Sequence, residues 1–228
     1  MAFRPEWANT MFGGIIEAIG RIHSCGNAPG GKTLTVTARG YWGDVAIGAS
    51  IAIDGVCLTV TSANDDSATF DVITETLRRS TLDDLRPGDR VNLQKSLAVG
   101  DRIDGHFIQG HVDAVGTVAR VEQSASESQL WFSIDADAIK YMIPKGSVAI
   151  DGMSLTIADV RDGLFSVALI PTTLEQTTIG HKKVNARVNI ETDILARIVI
   201  NYMKSIGGDQ AADKDASTID LLRRHGFA

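Results

Sequence analysis

The chain has 228 residues, 44% apolar and 22% charged, with 22 basic against 28 acidic side chains and a formal net charge of −6. That balance is ordinary for a globular protein, and the lack of any basic run argues against nucleic-acid binding through a charged face. Two cysteines, Cys25 and Cys57, are too few for a disulfide framework or a metal cluster and fit a reducing cytoplasm; no apolar run approaches the ~20 residues of a membrane span.

Residues 1–10 stand outside the pattern that follows and read as a leader or added extension without signal-peptide character. Alternation of apolar and polar residues then predicts strands at Thr33–Thr37, Ser50–Ile53, Cys57–Thr61, Thr69–Ile73, Arg90–Leu93, Leu130–Ile134 and Phe165–Leu169. Turn residues separate them, with Asp54-Gly55, Asp151-Gly152 and Asp162-Gly163 as hairpin signals. Short helical turns are expected at Ser80–Leu85 and Asp137–Tyr141, at similar places in two repeats. Many short strands at this spacing predict small antiparallel barrels or sandwiches. From Thr192 the pattern changes: Ile194, Leu195, Ile198, Val199, Tyr202, Met203 and Ile206 fall on one helical face, and Gly207-Gly208 ends it. Such a helix either packs on its own barrel or holds an oligomer together. Residues 209–216 read as a polar linker, and Ser217, with Asp220 at the capping-box position, caps a last short helix through Leu221-Leu222.

The chain also contains itself twice. Ile51-Ala-Ile-Asp-Gly-Val-Cys-Leu-Thr-Val60 returns as Val148-Ala-Ile-Asp-Gly-Met-Ser-Leu-Thr-Ile157, an offset of 97 residues. The same offset joins Thr76-Leu77 to Thr173-Leu174 and Arg90-Val91-Asn92 to Arg187-Val188-Asn189. The heads recur one step out of phase, Gly14 with Gly110 and Gly20 with Gly116. A period this long marks a duplicated domain of ordinary size, not a solenoid unit. The expected domains are 11–107 and 108–191, followed by the 192–206 helix and a 207–228 tail. Two similar domains imply two similar sites, for two copies of one molecule or one molecule between two halves.

Met11-Phe-Gly-Gly-Ile-Ile-Glu17, Gly55-Val-Cys-Leu-Thr-Val60, Gly105-His-Phe-Ile-Gln-Gly-His-Val-Asp113, Asp151-Gly-Met-Ser-Leu-Thr156 and Leu169-Ile-Pro-Thr-Thr-Leu-Glu175 resemble, in order and spacing over residues 11–200, the riboflavin synthase family of the alpha-chain type. The resemblance implies two six-stranded Greek-key barrels per chain, a C-terminal helix and a homotrimer whose sites lie between the N-terminal barrel of one subunit and the C-terminal barrel of the next. It implies dismutation of two 6,7-dimethyl-8-ribityllumazine molecules to riboflavin and 5-amino-6-ribitylaminouracil, without metal or redox cofactor, and association with lumazine synthase. A non-catalytic lumazine- or flavin-binding antenna protein is the alternative. A reductase flavin domain fits poorly, since no Gly-rich nucleotide loop is present. The chain departs from the family pattern at Gly13, usually Thr, at Asp104, usually Gly, and in the residues preceding Met11.

This chemistry needs two stacked rings, proton transfer at an acidic methyl, and a nucleophile or activated water. Strand alternation sets Cys57 and Thr59 on one face, and Ser154 and Thr156 on the matching face. Cys57 is either a small packing residue or one half of a divided role with Ser154. The resemblance adds Ser50 to the first half-site. It makes His111 a proton carrier, for which imidazole is suited; a purely structural His is the other reading, and the one given to His106. Asp193 is a helix cap or an acid–base partner. Lys145 is a solvated turn residue or, by resemblance, reaches a neighbouring pocket. Substrate contacts are implied for Gly14, Ile15, Ile16, Leu58, Thr59, Asp71, Val72, Ile73, Thr74, Glu75 and Thr76 in the first repeat. Those in the second are Gly110, Val112, Leu155, Thr156, Ile170, Pro171, Thr172, Thr173, Leu174 and Glu175. The pairs Glu75-Thr76 and Thr172-Thr173 are read as closing strands.

Overall fold

Residues 10–123 and 128–205 are described by the computed structural model. The first repeat forms β1 (Ala18–Ala28), β2 (Gly31–Thr37), β3 (Ser50–Ile53), β4 (Val56–Ala63), β5 (Ser67–Ile73) and β6 (Arg90–Lys95), closed in the order β1-β2-β5-β4-β3-β6. The second forms β7 (Ala114–Gln123), β8 (Ser128–Ser133), β9 (Ser147–Ile150), β10 (Met153–Arg161), β11 (Leu164–Leu169) and β12 (Arg187–Thr192), closed in the equivalent order β7-β8-β11-β10-β9-β12. All strand pairs are antiparallel, and closure removes every free edge. Asp54-Gly55 and Asp151-Gly152 have positive φ at both residues, the backbone that a two-residue hairpin demands. Bulges repeat as well: Ile22/Ser24 matches Val118/Arg120, and Val60/Ser62 matches Ile157/Asp159.

Each barrel fills its own interior. Leu34, Val36, Trp42, Phe70 and Leu93 are buried in the first; Val118, Phe132, Phe165 and Val188 are buried in the second, where the rings of Phe132 and Phe165 stack with centroids 5.3 Å apart. A third cluster, Phe12, Ala52, Ile108 and Ala149, joins the barrels, and Phe12 pairs with Ile108 as an isolated antiparallel bridge.

The barrels are related by a pseudo-twofold axis, visible in reciprocal hydrogen bonds. Asn92 Nδ2 donates to the Asp151 carbonyl at 2.9 Å, and Asn189 Nδ2 donates to the Asp54 carbonyl at 2.8 Å. Thr81 N donates to Asn189 Oδ1 at 2.7 Å, and Thr178 N to Asn92 Oδ1 at 2.8 Å. Gly55 and Gly152 sit back to back: a Cβ on either would lie within 3 Å of the other's backbone. Both asparagines are buried, so each bond also removes the cost of an unsatisfied amide.

The helical content differs from expectation. The first expected turn is the 3-10 turn Thr81–Asp84, but its counterpart is Thr178–His181; the other expected turn, α2 (Ala136–Ile139), has no helical equivalent in the first barrel. Glu75-Thr76 and Thr172-Thr173 do not close strands but lie in the short helices α1 (Thr74–Arg79) and α3 (Pro171–Gln176). α1 follows directly on β5 and α3 begins one residue after β11, and neither is long enough to show a helical period of its own. The C-terminal helix α4 covers 194–205 and forms a separate compact unit, with Leu195, Ile198, Val199, Tyr202 and Met203 exposed. Residues 1–9 of the leader, Ile206, the 209–216 linker and the Ser217–Leu222 helix lie outside the described residues.

Candidate functional site

The head of each repeat crosses to the other barrel. The Gly14 carbonyl accepts from Ser154 N on β10 at 2.8 Å, and its N–H donates to Gln94 Oε1 on β6 at 3.1 Å. Reciprocally, the Gly110 carbonyl accepts from Cys57 N on β4 at 3.0 Å, and its N–H donates to Glu191 Oε2 on β12 at 2.9 Å. Both glycines have φ near +78°, and the approach leaves no room for a side chain: a Cβ on Gly110 would lie 2.5 Å from Cys57 Cβ, and one on Gly14 2.6 Å from Ser154 Cβ. The two crossings fix one half-site around Cys57 and another around Ser154.

In the first half-site β3 and β4 set Ser50 opposite Thr59 and Ala52 opposite Cys57. Val56, Leu58 and Val60 point into the barrel, while Cys57 and Thr59 point outward. Thr10 Oγ1 and Ser50 Oγ lie 3.2 Å apart, and both bond the Cys57 thiol. Burial pushes that thiol above its ordinary value, opposed by these hydroxyls, so its resting form is protonated.

In the second half-site Ser154 Oγ is 2.7 Å from His106 Nδ1. The His106 ring is largely buried, its Nε2 has no hydrogen-bond partner among the described residues, and burial lowers its pKa against the pull of Asp193. Neutral imidazole bonded to a hydroxyl is an arrangement for moving a proton. Ser147, on β9 opposite Thr156, matches Ser50 across the repeat. Lys145 is exposed in a positive-φ turn. The His111 side chain is exposed, and its N–H donates to Glu191.

Glu191 anchors the second crossing, accepting from the N–H groups of Gln109, Gly110 and His111 at 2.7–2.9 Å. Burial, with Asp113 nearby, raises its carboxyl to about 7, opposed by those three donors.

The remaining sequence-selected residues fall into three groups. Ile15 in the head segment, and Asp71, Ile73, Thr74, Glu75, Ile170, Pro171, Thr172 and Glu175 toward or just past the ends of β5 and β11, are exposed, and Ile16, Thr76, Val112, Leu155, Thr173 and Leu174 are partly buried. Leu58 and Val72 are core residues whose side chains face the barrel interior. Sequence reasoning missed Thr10, set aside with the leader, and Ser147, Gln94 and Glu191. The 97-residue offset links Ser50 to Ser147 and Gln94 to Glu191, so the repeat carried the signal for three of the four.

A family model described as "Lumazine binding domain" matches the chain twice, over residues 13–95 and 109–193. The chain is 39% identical over 198 residues to "Riboflavin synthase" of Escherichia coli (strain K12), covering 86% of this chain and 93% of that one. It is 42% identical over 202 residues to the protein of the same name from Mycobacterium tuberculosis (strain ATCC 25618 / H37Rv), covering 86% and 100%. The Bacillus subtilis (strain 168) relative, also "Riboflavin synthase", is 36% identical over 217 residues, covering 95% and 100%. Among solved structures, "LumP complexed with 6,7-dimethyl-8-(1'-D-ribityl) lumazine" superposes with a TM-score of 0.71 at 21% identity, covering 78% of this chain and 97% of that one, which shows a shared fold.

Proposed function

The chain belongs to the riboflavin synthase family and is an enzyme, and from that premise we propose how its residues divide the work. The reaction is a transferase dismutation: one 6,7-dimethyl-8-ribityllumazine gives a four-carbon unit to a second, yielding riboflavin and 5-amino-6-ribitylaminouracil. The observation that carries this reading is the duplication with unlike residues at matched places. Cys57 sits with Ser50 and Thr10 in one half-site; Ser154 sits with His106 and Asp193 in the other.

One half-site binds the donor and the other the acceptor. The His106–Ser154 pair, biased by the Asp193 charge, handles a proton, and the Cys57 cluster holds the partner ring or a water against it. His111 joins the proton transfer. Paired binding removes the entropy cost of bringing two rings together, the main demand of a bimolecular reaction between like molecules. The site is completed between the N-terminal barrel of one subunit and the C-terminal barrel of a neighbour, in a homotrimer joined through the exposed apolar residues of α4, with Lys145 reaching the adjoining pocket. Association with lumazine synthase and a cytoplasmic location complete the proposal; among the described residues no helix is long and apolar enough to cross a membrane.

The test is direct. Purified protein is mixed with 6,7-dimethyl-8-ribityllumazine, without added metal or nucleotide, and riboflavin absorbance is followed. Riboflavin equal to half the lumazine consumed supports the dismutation. Tight binding without turnover moves the chain to the antenna class.

A further inference from the structure

A second cleft, of about 620 Å³, opens between the two barrels and contains none of the half-site residues. Its walls come from matched positions of the two repeats: Thr81 and Thr178, Asp84 and His181, Leu85 and Lys182, Asp89 and Ala186, Arg90 and Arg187. It therefore lies close to the pseudo-twofold axis, offset toward the first barrel by Arg21, Asp54 and Gly88, and is in the size range of small-molecule sites.

The two walls no longer match in charge. Where the first repeat has Asp84, Leu85 and Asp89, the second has His181, Lys182 and Ala186. The second wall has lost two carboxylates and gained an ammonium. The acids that remain are already engaged. Asp84 pairs with Arg187, Asp89 accepts the Arg86 N–H, and Asp151 holds Lys182 Nζ at 2.9 Å. Burial, and then the Asp151 charge, raises the buried Asp54 carboxyl to about 8, so it is mostly uncharged at neutral pH.

Asp89 keeps its charge, and two guanidiniums stand outside these pairs. Arg21 on β1 and Arg90 on β6 are direct cross-strand partners, a placement that like charges disfavour. Neither guanidinium meets a carboxylate among the described residues. Arg21 Nη1 donates to the Gly88 carbonyl at 2.8 Å, and Arg90 Nη1 lies 2.6 Å from His181 Nε2. Each fork keeps further donors, and the buried Thr178 hydroxyl on the opposite wall has no hydrogen-bond partner among the described residues. Guanidinium forks match the oxygens of a phosphate bidentately.

We propose that this cleft binds a phosphate group, as the head of a small phosphate monoester or as free inorganic phosphate, between the Arg21 and Arg90 guanidiniums. An anion there relieves the Arg21–Arg90 repulsion. The site is separate from the lumazine half-sites and does not depend on their chemistry.

The experiment is calorimetric titration of the full chain with inorganic phosphate and with phenyl phosphate, at fixed ionic strength in chloride. Saturable binding is expected, and Arg90→Gln and Arg21→Gln should each weaken it about tenfold or more, the worth of a charged hydrogen bond. Lumazine turnover should be unchanged in both. Tighter phenyl phosphate identifies an ester ligand, and equal affinities identify free phosphate. No saturable phosphate binding at millimolar concentration, or binding that both substitutions leave intact, overturns the proposal.

Discussion

At the residue before Leu-Thr the N-terminal barrel has Cys57 and the C-terminal barrel has Ser154, and their surroundings differ more than the residues do. Cys57 lies among hydroxyls, those of Thr10 and Ser50, which temper a thiol that burial raises. Ser154 lies against an imidazole that burial keeps neutral and a carboxylate charge favours protonating. The anchors beneath them have diverged likewise, to the neutral amide of Gln94 and the acid Glu191. Strand order, hairpins, bulges and crossing glycines are meanwhile kept in both copies. Duplication has preserved what closes a barrel and released the residues of the two proposed half-sites.

The comparison breaks most severely at the crossings. Gly110→Ala and Gly14→Ala each force a Cβ to about 2.5 Å from a neighbour with φ positive, so each should lose about 3 kcal/mol or more in denaturant unfolding. Gly13→Ala, where the nearest atom is 3.8 Å away, should be close to neutral. A tolerated Gly110→Ala would mean the crossing is not fixed.

Asn92→Ala and Asn189→Ala come next. Each removes one side of the same reciprocal network, so both should cost about 2–3 kcal/mol and agree within about 0.5 kcal/mol. Unequal losses would show that the interface is less symmetric in energy than in geometry.

Glu191 offers a smaller, pH-dependent contrast. Its folded pKa of about 7 lies above the usual 4.5, so the folded protein holds this proton more tightly than the unfolded chain. The stabilisation is full below about pH 4.5 and is lost as pH rises through 7. Glu191→Gln should remove that fall, a change of order 1–3 kcal/mol across the window, seen as melting temperature against pH. Gln94 already fills the equivalent role with an amide, so the substituted protein should still fold. An unaltered slope would place the titration on another group.

Much of this is legible in the sequence. Alternation and Asp-Gly pairs marked strands and hairpins because the strands of a small barrel keep a two-residue period between their bulges. The 97-residue offset gave two domains and paired Cys57 with Ser154. The short helices α1 and α3 were missed, since one or two turns leave no periodicity to read. Thr10 was missed because it precedes the repeat, and its role depends on the Ser50 side chain. His106 reads as structural in sequence, because its pairing with Ser154, 48 residues away, exists only after the head segment crosses to β10. The 97-residue offset paired Asn92 with Asn189, but an Asn within a strand says nothing of what lies across an axis.

The central claim, that two like barrels carry two unlike and equally necessary half-sites, is tested most directly by turnover of 6,7-dimethyl-8-ribityllumazine in Cys57→Ala and Ser154→Ala, beside His111→Ala, with folding checked by melting temperature and lumazine binding by fluorescence. The account predicts that Cys57→Ala and Ser154→Ala each lower riboflavin formation at least about tenfold while the fold and binding persist, as expected when acid–base or nucleophilic groups are removed. Full turnover in either folded protein would contradict it.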